Sequence, residues 1–366
     1  MESGVRGTRL YRWFAERFPV AGIEEHIEQK SVPRGRHFLW YFFGGTSLFF
    51  LLVQIVTGLF LLLYYKPTAQ SAYESVHFIE SEVAFGWLIR NIHAWSANLM
   101  ILSLFFHLFS NWFTKGYRRP REATWVTGVL MLFLAMGFGF SGYLLPWNKL
   151  SFFATKVGTE IAAVTPFIGK FLLVFLRGGE DVTGATLTRF FGIHVAVLPM
   201  SITFLLVLHL YFVQEQGMSS PIGEPPEQTM KFVPHFLYRE LAVWVFCLVL
   251  LMFLAVYLPY DSVFVPLELQ EKASAFDPTP EGIRPEWYFI FMFQALKYFP
   301  GSLLGMNGKV VALLVFAAGA LIMLLLPFWD RWARREERHW LPPAVGVFYL
   351  VFIIVFTILG YVLPGH

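Results

Sequence analysis

The stretch "NIHAWSANLMILSLFFH" runs from Asn91 to His107. It is apolar enough to lie in a bilayer, yet it carries His93 and His107, fourteen residues apart. On an α-helix fourteen steps return to within about 40° of the starting direction and climb ~21 Å. Both imidazoles therefore project from one side of a single helix, near opposite leaflets. A second stretch, "LTRFFGIHVAVLPMSITFLLVLHL" from Leu187 to Leu210, repeats the pattern with His194 and His209, fifteen apart. Pro199 lies in that interval and can kink the helix and absorb the extra residue. An imidazole without a partner in hydrocarbon costs several kcal/mol, so four of them ask for an explanation.

The rest of the chain is of the same kind. Its 366 residues are 56% hydrophobic and 19% aromatic, with 41 Phe and 12 Trp. Only 14% are charged, where a soluble protein carries about 25%. The net charge of +3 gives no reason to expect nucleic acid. The single cysteine, Cys247, sits in an apolar run and excludes an internal disulfide and a Cys-x-x-Cys motif. No cleavable signal peptide is visible at the polar, basic N-terminus. Seven segments approach the ~20 apolar residues of a membrane span. They are His37–Tyr65, Trp87–Phe113, Thr124–Leu145, Phe190–Val213, Leu241–Leu258, Val310–Pro327 and Val345–Val362, here helices A to G. Phe167–Leu176 is apolar but too short and is expected on the bilayer surface.

Basic residues set the orientation. With the N-terminus inside, the inner segments collect Arg6, Arg9, Arg12, Arg17, Lys30, Arg34 and Arg36, then Lys115, Arg118, Arg119 and Arg121. Lys231, Arg239, Arg331, Arg334, Arg335 and Arg338 follow, making 17 of the 28 Lys and Arg. The expected location is a cell (inner) membrane, with a cytoplasmic N-terminus and an outside C-terminus. The long C–D loop (about 146–189) and E–F loop (about 259–309) then lie outside. The expected division is 1–36, a cytoplasmic amphipathic or basic segment; 37–215, a four-helix bundle; 216–240, a cytoplasmic linker; and 241–366, a three-helix half.

Helices B and D run in the same direction, so His93 meets His194 near the outer face and His107 meets His209 near the inner face. A lone intramembrane histidine is as readily a hydrogen-bonded helix contact as a ligand. Four of them, paired by spacing and direction, suit the axial positions of two haem irons. Zinc competes poorly, since histidines ~21 Å apart along a helix cannot share one ion. Gly44 and Gly58 on helix A, and Gly128 and Gly142 on helix C, are each fourteen apart and would let flat rings approach the backbone. Arg90 and Arg189, just before His93 and His194, are candidates for haem propionates or for interfacial anchors. With both axial positions filled, such haems carry electrons and bind no substrate at iron.

"GWLIRNIHAWSAN", "GYLLPW", "LTRFFGIHVAVLP" and "RPEWY" together resemble cytochrome b of the quinol-oxidising cytochrome bc1 and b6f complexes. The resemblance runs from helix A to helix G. The fifteen-residue histidine step and the seven helices are similar to a cytochrome b6 fused to its three-helix partner, subunit IV. The resemblance implies two haem b, a quinol oxidation site near the outer face, and a quinone reduction site near the inner haem. It also implies a Rieske iron–sulfur protein, a c-type cytochrome or plastocyanin-like acceptor, a homodimeric complex, and a Q cycle coupled to proton translocation. The photosynthetic branch holds a further haem covalently through a cysteine on helix A. Phe42 stands at that position here, and Gln214 replaces a basic residue after His209, so no covalent third haem is expected.

Quinol oxidation needs a base. Glu286 of "RPEWY" lies between Pro285 and Trp287, an aromatic setting that can raise its pKa. Tyr288, Tyr143, Pro146 and Trp147 are candidates to line the same pocket, with an aromatic-belt role as the alternative for Trp147. On the inner side "HFLYRE" offers His235, Arg239 and Glu240, either for proton delivery or as solvated loop residues. A catalytic quinol oxidoreductase subunit and a dihaem anchor relaying electrons for a dehydrogenase differ in one respect: only the first needs Glu286 and the long outer loops.

Overall fold

The computed structural model describes residues 8–18, 29–34, 38–220, 228–303, 305–330 and 340–363. His37, expected to open helix A, lies outside these residues. So do Arg6, Arg36, Arg331, Arg334, Arg335 and Arg338 of the orientation argument. The chain is mostly helical. Short helix α1 (Arg9–Ala15) is capped by the Thr8 hydroxyl and turns Leu10, Trp13 and Phe14 outward.

Among the described residues, six helices are long and apolar enough to cross a membrane: α2 (Phe38–Leu62), α4 (Gly86–Phe113), α5 (Glu122–Tyr143), α8 (Gly184–Gln216), α9 (Phe232–Tyr257) and α14 (Leu341–Val362). They correspond to the expected helices A to E and G. The expected helix F is α12 (Gly308–Leu324), whose 17 residues fall short of that length. Large apolar side chains such as Leu59, Met200, Phe204, Phe246 and Phe348 face outward. That inversion suits a lipid solvent rather than water.

α2 packs along α4 and α5 along α8, α4 also touches α5, and α9 lies against α4 and α2. In α8, Ile193–Val197, which includes His194, forms a π-turn just before Pro199, with the Leu198 N–H bonded to the Ile193 carbonyl. Pro199 has no N–H to offer the carbonyl four residues earlier, so the turn opens by one residue. The extra residue of the His194–His209 step is thus taken up by a widened turn at the proline.

At the inner end, Trp112 donates to the Pro342 carbonyl (2.8 Å) and Trp125 to the Met323 carbonyl (2.9 Å). Beside them Arg118 clamps Asp330 through Nε (2.6 Å) and Nη2 (3.2 Å), and the Tyr117 hydroxyl donates to the same carboxylate (2.8 Å). These contacts join the bundle to the C-terminal half. Strand β1 (Ser31–Arg34) pairs antiparallel with β2 (Gln228–Lys231), Val32 opposite Met230. Lys30 also donates to the Gln214 carbonyl.

The loops expected to lie outside, named outer as the opposite end is named inner, carry α3 (Ala72–Ser81), α6 (Lys149–Ala163), α7 (Gly169–Arg177), α10 (Tyr260–Phe264) and α11 (Trp287–Lys297). α7 includes most of the stretch expected on the bilayer surface. It exposes Phe171 and Phe175 and buries Arg177, which donates to Thr159 and to the Lys156 and Glu180 carbonyls. The C–D and E–F loops are stitched by Lys149 N–H to the Glu271 carbonyl (2.8 Å) and Ala273 N–H to the Trp147 carbonyl (3.0 Å).

Candidate functional site

The four histidines fall into two pairs. The rings of His93 and His194 have centroids 6.5 Å apart and planes at 69°; those of His107 and His209 are 6.5 Å apart at 72°. A metal–imidazole bond is about 2 Å and the ring centre lies about 1 Å beyond, so two rings on opposite sides of one metal have centroids about 6 Å apart. Both pairs have that separation. No group of three or more His, Cys, Asp or Glu able to hold a metal occurs among the described residues. Two facing imidazoles therefore fit a metal whose remaining ligands come from a macrocycle.

Hydrogen bonding fixes the form of three rings. The Thr57 hydroxyl donates to the Val53 carbonyl (2.7 Å), and its oxygen lies 2.9 Å from His93 Nδ1. Thr127 donates to the Ala123 carbonyl (2.9 Å) and stands 3.0 Å from His209 Nδ1. Ser141 donates to the Gly137 carbonyl (2.8 Å) and stands 3.1 Å from His194 Nδ1. Each hydroxyl has given its proton to its own helix, so its oxygen accepts the Nδ1–H of the histidine. Nε2 is then left with a bare lone pair, the form that binds metal. His107 differs: the partner found for its Nδ1 among the described residues is the Asn111 side-chain amide, at 3.4 Å.

The glycines face the imidazoles themselves. A Cβ added to Gly142 would stand 2.8 Å from the His194 ring, at Gly44 3.0 Å from His107, at Gly128 3.2 Å from His209, and at Gly58 3.4 Å from His93. Each of the four glycines thus lies beside one of the four imidazoles. Sequence reasoning missed the residue in front. Thr57, Thr127 and Ser141 immediately precede Gly58, Gly128 and Gly142, and only Phe43 before Gly44 breaks the pattern.

Arg90 and Arg189, candidates for propionates or for interfacial anchors, both have protein partners. Arg90 pairs with Glu80 and, at 2.7 Å, with Asp261. Arg189 donates to the Phe175 carbonyl (2.7 Å) at the end of α7. For Trp147 the burial decides against the aromatic-belt alternative. It is 5% exposed, packs among Phe152, Phe153, Leu187 and Phe190, and joins the two outer loops, so it is not a belt residue. Pro146, with Tyr73, His77, Arg90 and Asp261, lines an outer recess of about 190 Å³.

Glu286 ends the E–F loop at the first turn of α11. The Tyr260 hydroxyl donates to both its oxygens, at 2.9 and 3.1 Å. Burial raises the carboxyl pKa to about 7; the Tyr260 hydrogen bond works against that rise and the nearby Asp261 charge adds to it. Helix α4 holds this corner in place. Asn91 accepts from Tyr260 N–H (2.9 Å), Trp95 donates to the Leu258 carbonyl (2.8 Å), and Asn98 accepts from Trp287 Nε1 (2.8 Å). Pro285 adjoins this corner, while Tyr288 buries its hydroxyl against Gly139 of α5, where a Cβ would come within 2.0 Å. Tyr143 closes the outer end of α5.

At the inner end Phe42 stacks on Phe236 with centroids 5.1 Å apart and planes at 1°. The three inner candidates separate. His235 and Arg239 are exposed, as solvated residues are, whereas Glu240 is 8% exposed, accepts from Trp244 Nε1 (3.3 Å) and abuts Gly45.

The family profile described as cytochrome b/b6/petB matches residues 29–217, and that described as cytochrome b(C-terminal)/b6/petD matches 275–364. The cytochrome bc complex cytochrome b subunit of Chlorobaculum thiosulfatiphilum is 47% identical over 350 residues, 94% of this chain and 79% of that protein. Cytochrome b6 of Prochlorococcus marinus (strain MIT 9515) is 42% identical over 213 residues, 58% of this chain and 97% of that one. A solved hyperthermophilic respiratory Complex III contains a chain with TM-score 0.84 and 32% identity, over 96% of this chain and 91% of that one. The chain belongs to the cytochrome b family of the cytochrome bc complexes, multi-pass membrane proteins of electron transport whose membership implies b-type haems.

Proposed function

We infer that the chain is the dihaem catalytic core of a quinol:cytochrome c (or plastocyanin-like acceptor) oxidoreductase. The observation that carries this reading is the pair of imidazole pairs, each with its rings 6.5 Å apart. His93 and His194 would hold one haem b near the outer face, and His107 and His209 another near the inner. When bound, a haem held by two imidazoles would supply one-electron transfer. Gly44, Gly58, Gly128 and Gly142 make room for the ligand rings. Arg90 and Arg189 supply positive charge at the outer ends of the helices that carry His93 and His194.

Glu286 is the base for quinol. A carboxylate titrating at about 7 is largely ionised just above neutrality and accepts a hydroxyl proton without holding it too tightly. Tyr143, Tyr288, Pro285, Trp287 and Pro146 form the walls around it, with the two tyrosine hydroxyls as polar contacts for the quinol ring. One electron leaves to a Rieske iron–sulfur protein and on to a c-type cytochrome. The other crosses to a quinone near the inner face, and protons are released outside, as in a Q cycle. Glu240, buried at the inner end, is the candidate proton donor there. The reading includes seven spans, with α12 as the sixth, a cytoplasmic N-terminus and an outside C-terminus in the cell membrane, and a homodimeric complex. It retains the division into 1–36, 37–215, 216–240 and 241–366, with two haem b and no covalent third haem.

Glu286→Gln in the assembled complex tests it. Quinol oxidation is expected to fall by about 10²- to 10⁴-fold, the range for loss of a general base, with both b-type spectral components retained. In the parent the rate should rise with pH through about 7, because the ionised carboxylate is the active form. Unchanged turnover in Glu286→Gln would leave a dihaem relay as the better description.

A further inference from the structure

Tyr260 lies 26 residues before Glu286, and the long E–F loop folds back to bring its hydroxyl onto both oxygens of that carboxylate. Nothing in its local sequence, "YLPYDS", suggests this. Its placement is over-determined. The Pro259–Tyr260 corner is held by Asn91 through the Tyr260 N–H and by Trp95 through the Leu258 carbonyl. The ring meets Trp95 edge-on at 5.8 Å and Phe264 at 4.9 Å. Asn91 and Trp95 flank His93 on α4, so one helix sets both a proposed ligand and the partner of the proposed base.

We propose that Tyr260 is a positioning residue for quinol oxidation: its hydroxyl donates to the Glu286 carboxylate, fixes its orientation and favours its ionised, proton-accepting form. This rests on the reading of Glu286 as the base. A buried carboxylate in an aromatic pocket drifts towards its neutral form. A neutral Glu286 has no lone-pair charge to draw a quinol proton. A donated O–H counters that drift, because hydrogen bonds to a charged acceptor are about twice as strong as those between neutral groups. The neighbouring residue divides the labour. Asp261, next along the chain, turns to Arg90, whose guanidinium also holds Glu80. Arg90 is thereby occupied, and the partner of Glu286 is a neutral phenol.

Groups that sense the Glu286 charge come from every element around it. They are Tyr260 and Asp261 on α10, Tyr143 at the end of α5, Tyr288 on α11 itself and Tyr361 on α14, with Arg284 of the loop beside Tyr361. Of these, the hydrogen bonds found to the carboxylate are those of Tyr260.

The test is Tyr260→Phe in the assembled complex, which removes one oxygen and keeps the ring. Without the donor, Glu286 holds its proton to higher pH. The acid limb of quinol oxidation should then move up by about one unit, making the rate about tenfold lower on that limb, while the alkaline plateau is retained. The infrared carboxylic-acid band of Glu286, identified by its loss in Glu286→Gln, should titrate at correspondingly higher pH. A Tyr260→Phe profile that superimposes on the parent overturns the proposal, and so does a rate lowered equally at all pH or a complex that loses assembly or its b-type bands. The underlying reading fails separately: it falls if Glu286→Gln oxidises quinol with the parent's rate and profile, whatever Tyr260→Phe does.

Discussion

The outer and inner imidazole pairs are near copies in ring geometry and unlike in everything around them. Ring separation is the same and the planes differ by a few degrees. At the outer pair both Nδ1 atoms meet hydroxyls, Thr57 and Ser141. At the inner pair His209 has Thr127, while His107 has only a long approach from Asn111. The outer pair sits beneath loops that carry Glu286, Tyr260 and Asp261, with Arg90 of α4 paired to Asp261. The inner end has the Phe42–Phe236 stack, with the buried carboxylate of Glu240 nearby. On the proposed function, equal ring geometry would serve two like carriers, and the difference in surroundings would give the two ends distinct proton chemistry.

The sharpest way to break this comparison after Glu286→Gln is to crowd the rings. Gly142→Ala places a methyl group 2.8 Å from the outer His194 ring, closer than real Cβ contacts come, so the ring must shift. Retention of the outer b-type component is expected to fall by about tenfold or more, read from the difference spectrum of the purified complex. Gly58→Ala, at 3.4 Å from His93, should stay within about twofold of the parent. The inner glycines, at 3.0 and 3.2 Å, should fall between. Equal effects at Gly142 and Gly58 would detach the glycines from the ligand rings.

A smaller effect separates the pairs through their hydroxyls. Thr57→Val leaves the outer pair one hydroxyl, on Ser141, whereas Thr127→Val leaves the inner pair none. Loss of such a ligand-orienting partner typically costs about 10- to 100-fold in metal affinity. Haem retention should sit at the upper end of that range for Thr127→Val and at the lower end for Thr57→Val, measured by titration with apo-haem scavengers. The reverse order would mean that Asn111 orients His107 as firmly as a hydroxyl does.

Much of this was legible in the sequence because it is written at helical period. The histidine and glycine spacings project onto helix faces, and the direction of successive spans pairs them. The extra residue before His209 announced a distortion near Pro199, since proline withholds an N–H; the π-turn is its realised form. The hydroxyls before three of the four glycines were equally readable, as a residue adjacent to the contact glycine reaches the same ring. What escaped reading lies in contacts between distant segments that carry no period. Tyr260 finds Glu286 only because Asn91, Trp95 and Asn98 pin the loop at both ends. Ser31–Arg34 pairs with Gln228–Lys231 across almost two hundred residues. Arg90 holds loop carboxylates and Arg189 a helix carbonyl, and neither set of partners is signalled locally. Helix F reads as a span by its apolar run, while α12 ends at Leu324 where the chain turns into the short helix at Leu326–Trp329.

The central claim is that two metal-bound macrocycles are each held between α4 and α8. Redox titration of the purified complex, with pyridine haemochrome quantification per copy of this chain, tests it most directly. Two haem b per chain, titrating as two components of different potential, with His209→Leu removing one and His194→Leu the other, is the predicted result. One haem or none, or loss of the same component in both variants, would contradict it.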